Sequence, residues 1–393
     1  MPRRQRVRNR SLLGPYPEPE IKDSLAEPEW PCPHFPLCGG CQMQHIAYEE
    51  QVALKAQSLS RLFGRDVQVT PAVNPFHYRA RMDYVTTFQK VGLRRRGNFR
   101  KIVDITDCQL ISQRGLDVLR AARRLTEETG IAFYDINRRE GFLKYITLRM
   151  TRYGEIMVII YTNPGSDADH KVLEQYITAL REAEWIDSVW WLESEEISDR
   201  TQGRRMGYYG APYIIEELHD MRFAIGPETF FQSNTDMAEK CFEHIRSEVR
   251  GERVLDLYCG VGSITLCLSL QVSEIVGVES VAESIAQADE NAARNHVTNA
   301  RFVTEEVREF MRIPDTRYDT IVLDPPRAGI GGKVARRLMR MHAPRIVYMS
   351  CNPKTQMVDL KRLPGYKLES IVGYDMFPQT EHVETVAVLV REK

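Results

Sequence analysis

Between residues 253 and 351 the apolar positions fall into short runs, VLDLYC, EIVGVES, TIVLDPP and RIVYMSC. The stretches between them bring apolar residues back every three or four positions. Runs of that kind suit strands covered on both faces, and the longer spacing suits helices. From about residue 226 the predicted order is helix (235–250), strand (253–259), helix, strand (274–280), helix (281–295), strand (300–306), strand (318–326), helix (331–342) and strand (345–351). Two closely spaced strands follow, 367–378 and 383–392, predicted as a hairpin at the sheet edge. Strands alternating with helices predict an α/β fold, a Rossmann-like parallel sheet wound on both faces.

The first half has another rhythm. Residues 1–31 are rich in Arg, Pro and Glu without a period, which predicts a flexible basic tail. Residues 48–64 show helical spacing ending in Gly64, a C-cap signal. Short alternating stretches at 78–108, 143–163 and 186–194, with helices at 115–130 and 167–183, predict a mixed, largely antiparallel α+β region over 76–225. The expected division is therefore a tail (1–31), a central α+β domain (32–49 and 76–225) and a catalytic α/β domain (50–75 and 226–393).

At 393 residues the chain is too long for one simple core. No apolar run approaches the ~18 residues of a membrane span. No apolar segment follows the basic start MPRRQRVRNR, so a secretory signal is not expected. These features predict a cytoplasmic protein with reduced thiols and no membrane partner. A net charge of −1 excludes a uniformly basic nucleic-acid binder. Local clusters remain at Arg3, Arg4, Arg6, Arg8 and Arg10, at Arg94, Arg95, Arg96, Arg100 and Lys101, and at Arg336, Arg337 and Arg340. Such clusters fit a localised groove for an anionic ligand.

The strand VLDLYC runs into Gly260-x-Gly262 and a helix, small residues that let a ligand approach a strand's carboxyl end. Thr265 stands at the third glycine position of a dinucleotide fingerprint, and Glu279 ends the next strand, 19 residues after Gly260. An acidic side chain there can accept from two ribose hydroxyls. This set fits S-adenosylmethionine better than a dinucleotide. Asp-Pro-Pro at 324–326 makes a rigid extended turn that holds Asp324 at the ligand edge of the sheet. Cys351 ends the neighbouring predicted strand.

Alone, Cys351 reads as a small core residue. Beside a methyl donor it reads as a nucleophile for a carbon that is not nucleophilic by itself, such as uracil C5. A thiolate adds at C6, C5 takes the methyl group, and a base removes the C5 proton. Glu384 is the candidate base, and His382 a group to orient it or the thiol. Cytosine C5 methylation also uses a thiol but leaves Glu384 unexplained, and a non-catalytic RNA-binding factor leaves Cys351, Glu384 and Asp324 unexplained. Separately, Cys32-x5-Cys38-x2-Cys41 with Cys108 supplies four thiolates that suit zinc or an iron–sulfur cluster, and the chemistry alone does not choose.

The stretches FFQSN (230–234), LDLYCGVGS (255–263), GVES (277–280), LDPPRAG (323–329), SCNP (350–353) and MFPQTEHVE (376–384) resemble the RNA uracil-5-methyltransferases that act on 23S rRNA and tRNA. The resemblance implies a class I S-adenosylmethionine-dependent fold, Cys351 as nucleophile and Glu384 as base. It implies Gln232, Tyr258, Gly260, Glu279 and Asp324 as cofactor contacts, and Phe230 near the target nucleotide. Ser263 and Glu306 are further expected cofactor contacts, at positions where related chains often carry Asn and Asp or Asn. For Cys32, Cys38, Cys41 and Cys108 it implies a 4Fe–4S cluster. Some relatives begin with a β-barrel RNA-binding domain. Here 31 residues without strand pattern precede Cys32, so RNA contacts are expected from the central region, the arginine tail and GLRRRGNFRK. The expected substrate is RNA, with 23S rRNA ahead of tRNA, and the expected state is a monomer.

Overall fold

The computed structural model describes residues 12–13, 16, 30–135, 138–195, 201–313 and 317–392. The arginines at positions 3 to 10, and most of the tail expected over 1–31, lie outside the described residues.

The C-terminal half builds an eight-stranded sheet. Its order is Val69–Thr70, Tyr366–Tyr374, Glu384–Arg391, Arg345–Ser350, Thr320–Leu323, Arg253–Leu257, Glu274–Glu279 and Ala300–Thr304. The last five strands in that order are mutually parallel, as the alternating pattern predicts. The central residues of all but the edge strand Ala300–Thr304 are buried on both faces, which explains the unbroken apolar runs. The predicted C-terminal hairpin forms, but not at the edge. Strand Glu384–Arg391 lies between Arg345–Ser350 and Tyr366–Tyr374, antiparallel to both. Val69–Thr70 then pairs parallel with Tyr366–Tyr374 and takes the edge. Two residues of strand carry no legible period, so that closure was hidden in the sequence.

The seven-stranded sheet has the order Asn98–Asp104, Lys90–Arg95, Arg81–Thr87, Leu143–Met150, Ile156–Thr162, Ser188–Glu193 and Arg204–Gly210. It is antiparallel except where Ile156–Thr162 meets Ser188–Glu193, with helix Asp167–Ala183 between them in the chain. That helix and Gln113–Thr129 bury Leu173, Tyr176, Leu180, Leu116 and Leu119 against one face. The hairpin of strands Ile214–Leu218 and Met221–Ile225, placed with the central region by its position in the sequence, joins both halves. Ile214 and Ile225 pack with the seven-stranded sheet, whereas Leu218, Met221 and Phe223 pack in the C-terminal core. Among the described residues no helix is long and apolar enough to cross a membrane.

Helix Tyr48–Phe63 ends, as predicted, at Gly64 in the left-handed region (φ 65°). Its buried face is unusually polar: Gln51, Lys55 and Ser58 lie beside Leu59 and Phe63. Lys55 donates to Asp375 at 2.6 Å with both side chains fully buried. The Tyr48 hydroxyl donates to Asp375 at 3.1 Å, and Gln51 Nε2 donates to Gln379 Oε1 at 2.9 Å. These contacts pin the loop that leads to His382 and Glu384. Lys55→Met leaves Asp375 buried without its cation, and the expected loss is about 3–5 kcal/mol of folding stability. Urea unfolding checks it, and a loss below ~1 kcal/mol removes the ion pair as the element that pins this loop.

Candidate active site

Strand Arg253–Leu257 pairs on one side with Glu274–Glu279 and on the other with Thr320–Leu323. The chain winds outward in opposite directions from this strand, which opens a crevice at the strands' carboxyl ends. Leu257 pairs with both Val278 and Leu323, so Tyr258 and Asp324 leave the sheet at the same edge. The strand predicted to reach residue 259 stops at Leu257, because Tyr258 adopts a left-handed φ of 67° and the chain turns there. The amides of Tyr258 and Cys259 donate to Val278 O at 2.9 and 3.1 Å, which holds the turn.

The two glycines of the turn do different work. A Cβ on Gly262 would lie 2.8 Å from Phe302, whereas one on Gly260 would meet nothing within 4 Å. Gly262 is required by packing, and Gly260 leaves open floor in the crevice. Ser263 begins helix Ser263–Ser269. Glu279 is half-buried, and its Oε1 accepts from the amides of Ser280 (2.7 Å) and Val281 (3.0 Å), which fixes the carboxylate at its strand end. Glu306 is exposed at the start of helix Val307–Phe310. Gln232 lines a small cavity with Arg149, Glu216 and Phe231. Phe230 is 71% exposed.

Behind the crevice, Asp256 is buried and accepts from Thr265 Oγ1 at 2.6 Å. Thr265 therefore serves this carboxyl rather than a third glycine's role. Burial pushes Asp256 up to about 7, against the Thr265 bond, and burial likewise pushes Asp324 up to about 7.

The decisive geometry is at the next strand pair. Ser350 and Thr385 face each other across the antiparallel ladder of Arg345–Ser350 and Glu384–Arg391. Cys351 follows Ser350 and Glu384 precedes Thr385, so the two leave this ladder at the same end, close enough for the Glu384 charge to act on the thiol. Glu384 is buried, and its Oε2 has no hydrogen-bond partner. Burial, then the nearby Asp324, raises its pKa well above the usual carboxylate range, and Arg327 opposes them. Cys351 is partly exposed, and its thiol is pushed up to about 11 by burial and then by Glu384, with Arg327 opposing. His382 keeps solvent contact. Partial loss of water, then the positive charges of Arg327 and Lys55, lower its pKa.

Arg327 is the functional candidate the sequence reading passed over, although its motif was in view. Asn352 Nδ2 and Thr355 Oγ1 both donate to its carbonyl, at 3.1 and 3.2 Å. Buried Asp359 accepts from the Ile330 amide at 2.9 Å and from the Tyr348 hydroxyl at 3.0 Å. The Asp-Pro-Pro loop and the Cys351 loop are thereby tied together. The arginine in DPPRAG was the available signal, but only the fold puts it beside the thiol.

Cys32, Cys38, Cys41 and Cys108 are all buried and line one mostly apolar cavity with Phe35, Leu93, Ile105 and Leu110. The Gly40 amide donates to Cys38 Sγ at 3.4 Å, backbone amides of His34 and Phe35 face Cys32, and those of Leu110 and Ile111 face Cys108. Among the described residues no group of three or more His, Cys, Asp or Glu is arranged to hold a metal ion, so the geometry does not itself bring out the metal site expected at these four cysteines.

A family profile described as tRNA (Uracil-5-)-methyltransferase matches residues 195–392. The tRNA (uracil(54)-C(5))-methyltransferase of Pyrococcus horikoshii is 36% identical over 360 residues, covering 91% of this chain and 85% of that protein. The enzyme of the same name from Pyrococcus furiosus is 34% identical over 361 residues, covering 92% and 85%. The crystal structure of Pyrococcus abyssi tRNA (uracil-54, C5)-methyltransferase with S-adenosyl-L-homocysteine superimposes with a TM-score of 0.80 at 34% identity, covering 90% of this chain and 86% of that one.

Proposed function

The chain belongs to the tRNA (uracil-5-)-methyltransferase family, and on that premise we propose that it transfers a methyl group from S-adenosylmethionine to C5 of a uridine in tRNA. The observation that carries the reading is that Cys351 and Glu384 emerge at one end of the same strand pair, each within electrostatic reach of Asp324 at the ligand edge of the sheet. The Cys351 thiolate forms a bond to C6, and the electron pair of the C5–C6 double bond moves toward O4. C5 then forms a bond to the methyl carbon as the donor's S–CH3 bond breaks, leaving S-adenosylhomocysteine. Glu384 takes the C5 proton, the double bond re-forms, and the C6–S bond breaks. Asp324, Tyr258, Gly260, Ser263, Glu279, Glu306 and Gln232 are assigned to the methyl donor, and Phe230 and His382 to the target nucleotide. The base must leave its stack to reach Cys351.

The sequence put 23S rRNA ahead of tRNA. The relatives named for uridine 54 of tRNA span nearly the whole chain and reverse that order. We assign position 54 on the same support. The four N-terminal cysteines are assigned to a 4Fe–4S cluster on two supports: their buried thiols line one apolar cavity, and backbone amides face the sulfurs of Cys32, Cys38 and Cys108. When bound, such a cluster ties the cysteine loop to the Cys108 segment, and methyl transfer requires no electrons from it. The test is methylation of unmodified tRNA and 23S rRNA transcripts with labelled S-adenosylmethionine. 5-Methyluridine at position 54 of tRNA is expected, and label on the rRNA alone overturns the tRNA assignment.

A further inference from the structure

The seven-stranded sheet carries a second concavity that methyl transfer does not use. A groove of about 480 Å³ opens between Gly39–Gly40 of the cysteine loop and the hairpin of strands Lys90–Arg95 and Asn98–Asp104. Arg79, Arg94, Arg95 and Arg96 line it. Asp83, the one carboxylate among the lining residues, is already paired with Arg81 at 3.0 Å. In a chain of net charge −1 this is a local reversal of sign. Phe99 also lines the groove and is 74% exposed, a large flat ring left in water.

The groove is pre-shaped. The Gly39 amide donates to Arg94 O, and the Arg96 amide to Leu37 O, both at 2.9 Å. Gln42 Nε2 donates to Gly39 O at 2.8 Å, and Arg94 donates to the carbonyl of Phe99. Arg79 ties the groove to the segments that carry the candidate site. The Ala80 amide, next to Arg79, donates to Ser233 O at 2.7 Å in the 230–234 segment. The Arg79 guanidinium is also among the positive charges felt by His382. Guanidinium groups along a channel with an exposed ring suit an RNA strand with unpaired bases, since cations follow phosphates and rings stack bases.

We propose that this groove docks the RNA substrate, its arginines taking consecutive phosphates of a non-helical segment and Phe99 stacking an unpaired base outside the active site. The assignment rests on the RNA-methylating function proposed above. It is tested on the full chain by fluorescence anisotropy over a salt series, with an unmodified tRNA transcript and a fully paired RNA duplex of equal length as probes. Arg95→Ala is expected to weaken tRNA binding and to lower the slope of log K against log salt by about 1. Phe99→Ala is expected to weaken tRNA binding roughly tenfold without moving the slope. Phe99→Trp should restore it, and the duplex should be indifferent to either Phe99 change. Phe99 is exposed, so its truncation leaves the core intact even if Arg95→Ala misfolds. Unchanged tRNA binding and slope in both variants overturns the groove, as does an equal loss on the duplex from Phe99→Ala. A covalent adduct on 5-fluorouridine tRNA separates the two readings. Wild-type protein that binds tRNA through the groove yet forms no adduct sinks the methylation reading alone. Normal adduct with unchanged binding in both variants sinks the groove alone.

Discussion

Cys351→Ala is expected to abolish both the covalent adduct with 5-fluorouridine-containing tRNA and detectable methyl transfer. Uracil C5 does not attack a methyl sulfonium unless C6 carries a nucleophile, and no second thiol takes over. Cys241, Cys259 and Cys267 are buried, with pKa values raised by burial. Cys351 alone of the eight cysteines retains partial exposure. Its thiol is pushed up to about 11, so between pH 7 and 9 only a small thiolate fraction exists, and that fraction climbs about tenfold per pH unit. Adduct formation in single turnovers should follow the same rise. Arg327 pulls the thiol pKa down, so Arg327→Leu should slow adduct formation throughout this window. Single-turnover gels of the denatured adduct measure both effects. Adduct in Cys351→Ala refutes the nucleophile assignment, and a pH-independent rate refutes the raised pKa of the thiol.

Glu384→Gln is expected to stall the reaction one step later. The thiol still adds and the methyl group still moves, but the C5 proton has no acceptor. Turnover should fall by about 10²- to 10⁴-fold while a methylated covalent adduct accumulates on ordinary tRNA. Folding loss is separable from chemical loss. Burial holds the pKa of Glu384 well above the ordinary carboxylate value. The native state therefore keeps a proton that the unfolded chain releases at a lower pH, and stability from this group is lost as pH rises through the folded pKa. Glutamine removes that cost, so the variant should match or exceed wild-type stability above neutrality in thermal melts. Turnover within tenfold of wild type, or no adduct, removes Glu384 as the base.

The relation between Cys351 and Glu384 also marks what could be read ahead of the fold. Apolar runs covered on both faces, each followed by small or turn-forming residues, announced the parallel sheet and its ligand edge. They did so because strand burial and backbone turning are local demands on residue type. Thr265 was legible as a departure from the dinucleotide pattern, yet its role as donor to buried Asp256 was not, since that needs the helix seated on the strand. Lys55 on the buried face of helix Tyr48–Phe63 drew no notice in the sequence, because its partner, Asp375, lies 320 positions away. Distance hides the groove too: the arginine cluster was evident, but the cysteine loop that walls it comes from another part of the chain.

Residue types and short-range spacing were enough to place a methyl-donor turn, a thiol and a carboxylate at strand ends. Strand order was not, because it depends on which distant segments bury each other. Only the insertion of Glu384–Arg391 between Arg345–Ser350 and Tyr366–Tyr374 brings the carboxylate and the sulfur out at one end of a strand pair, and only the packed fold brings Arg327 beside the thiol.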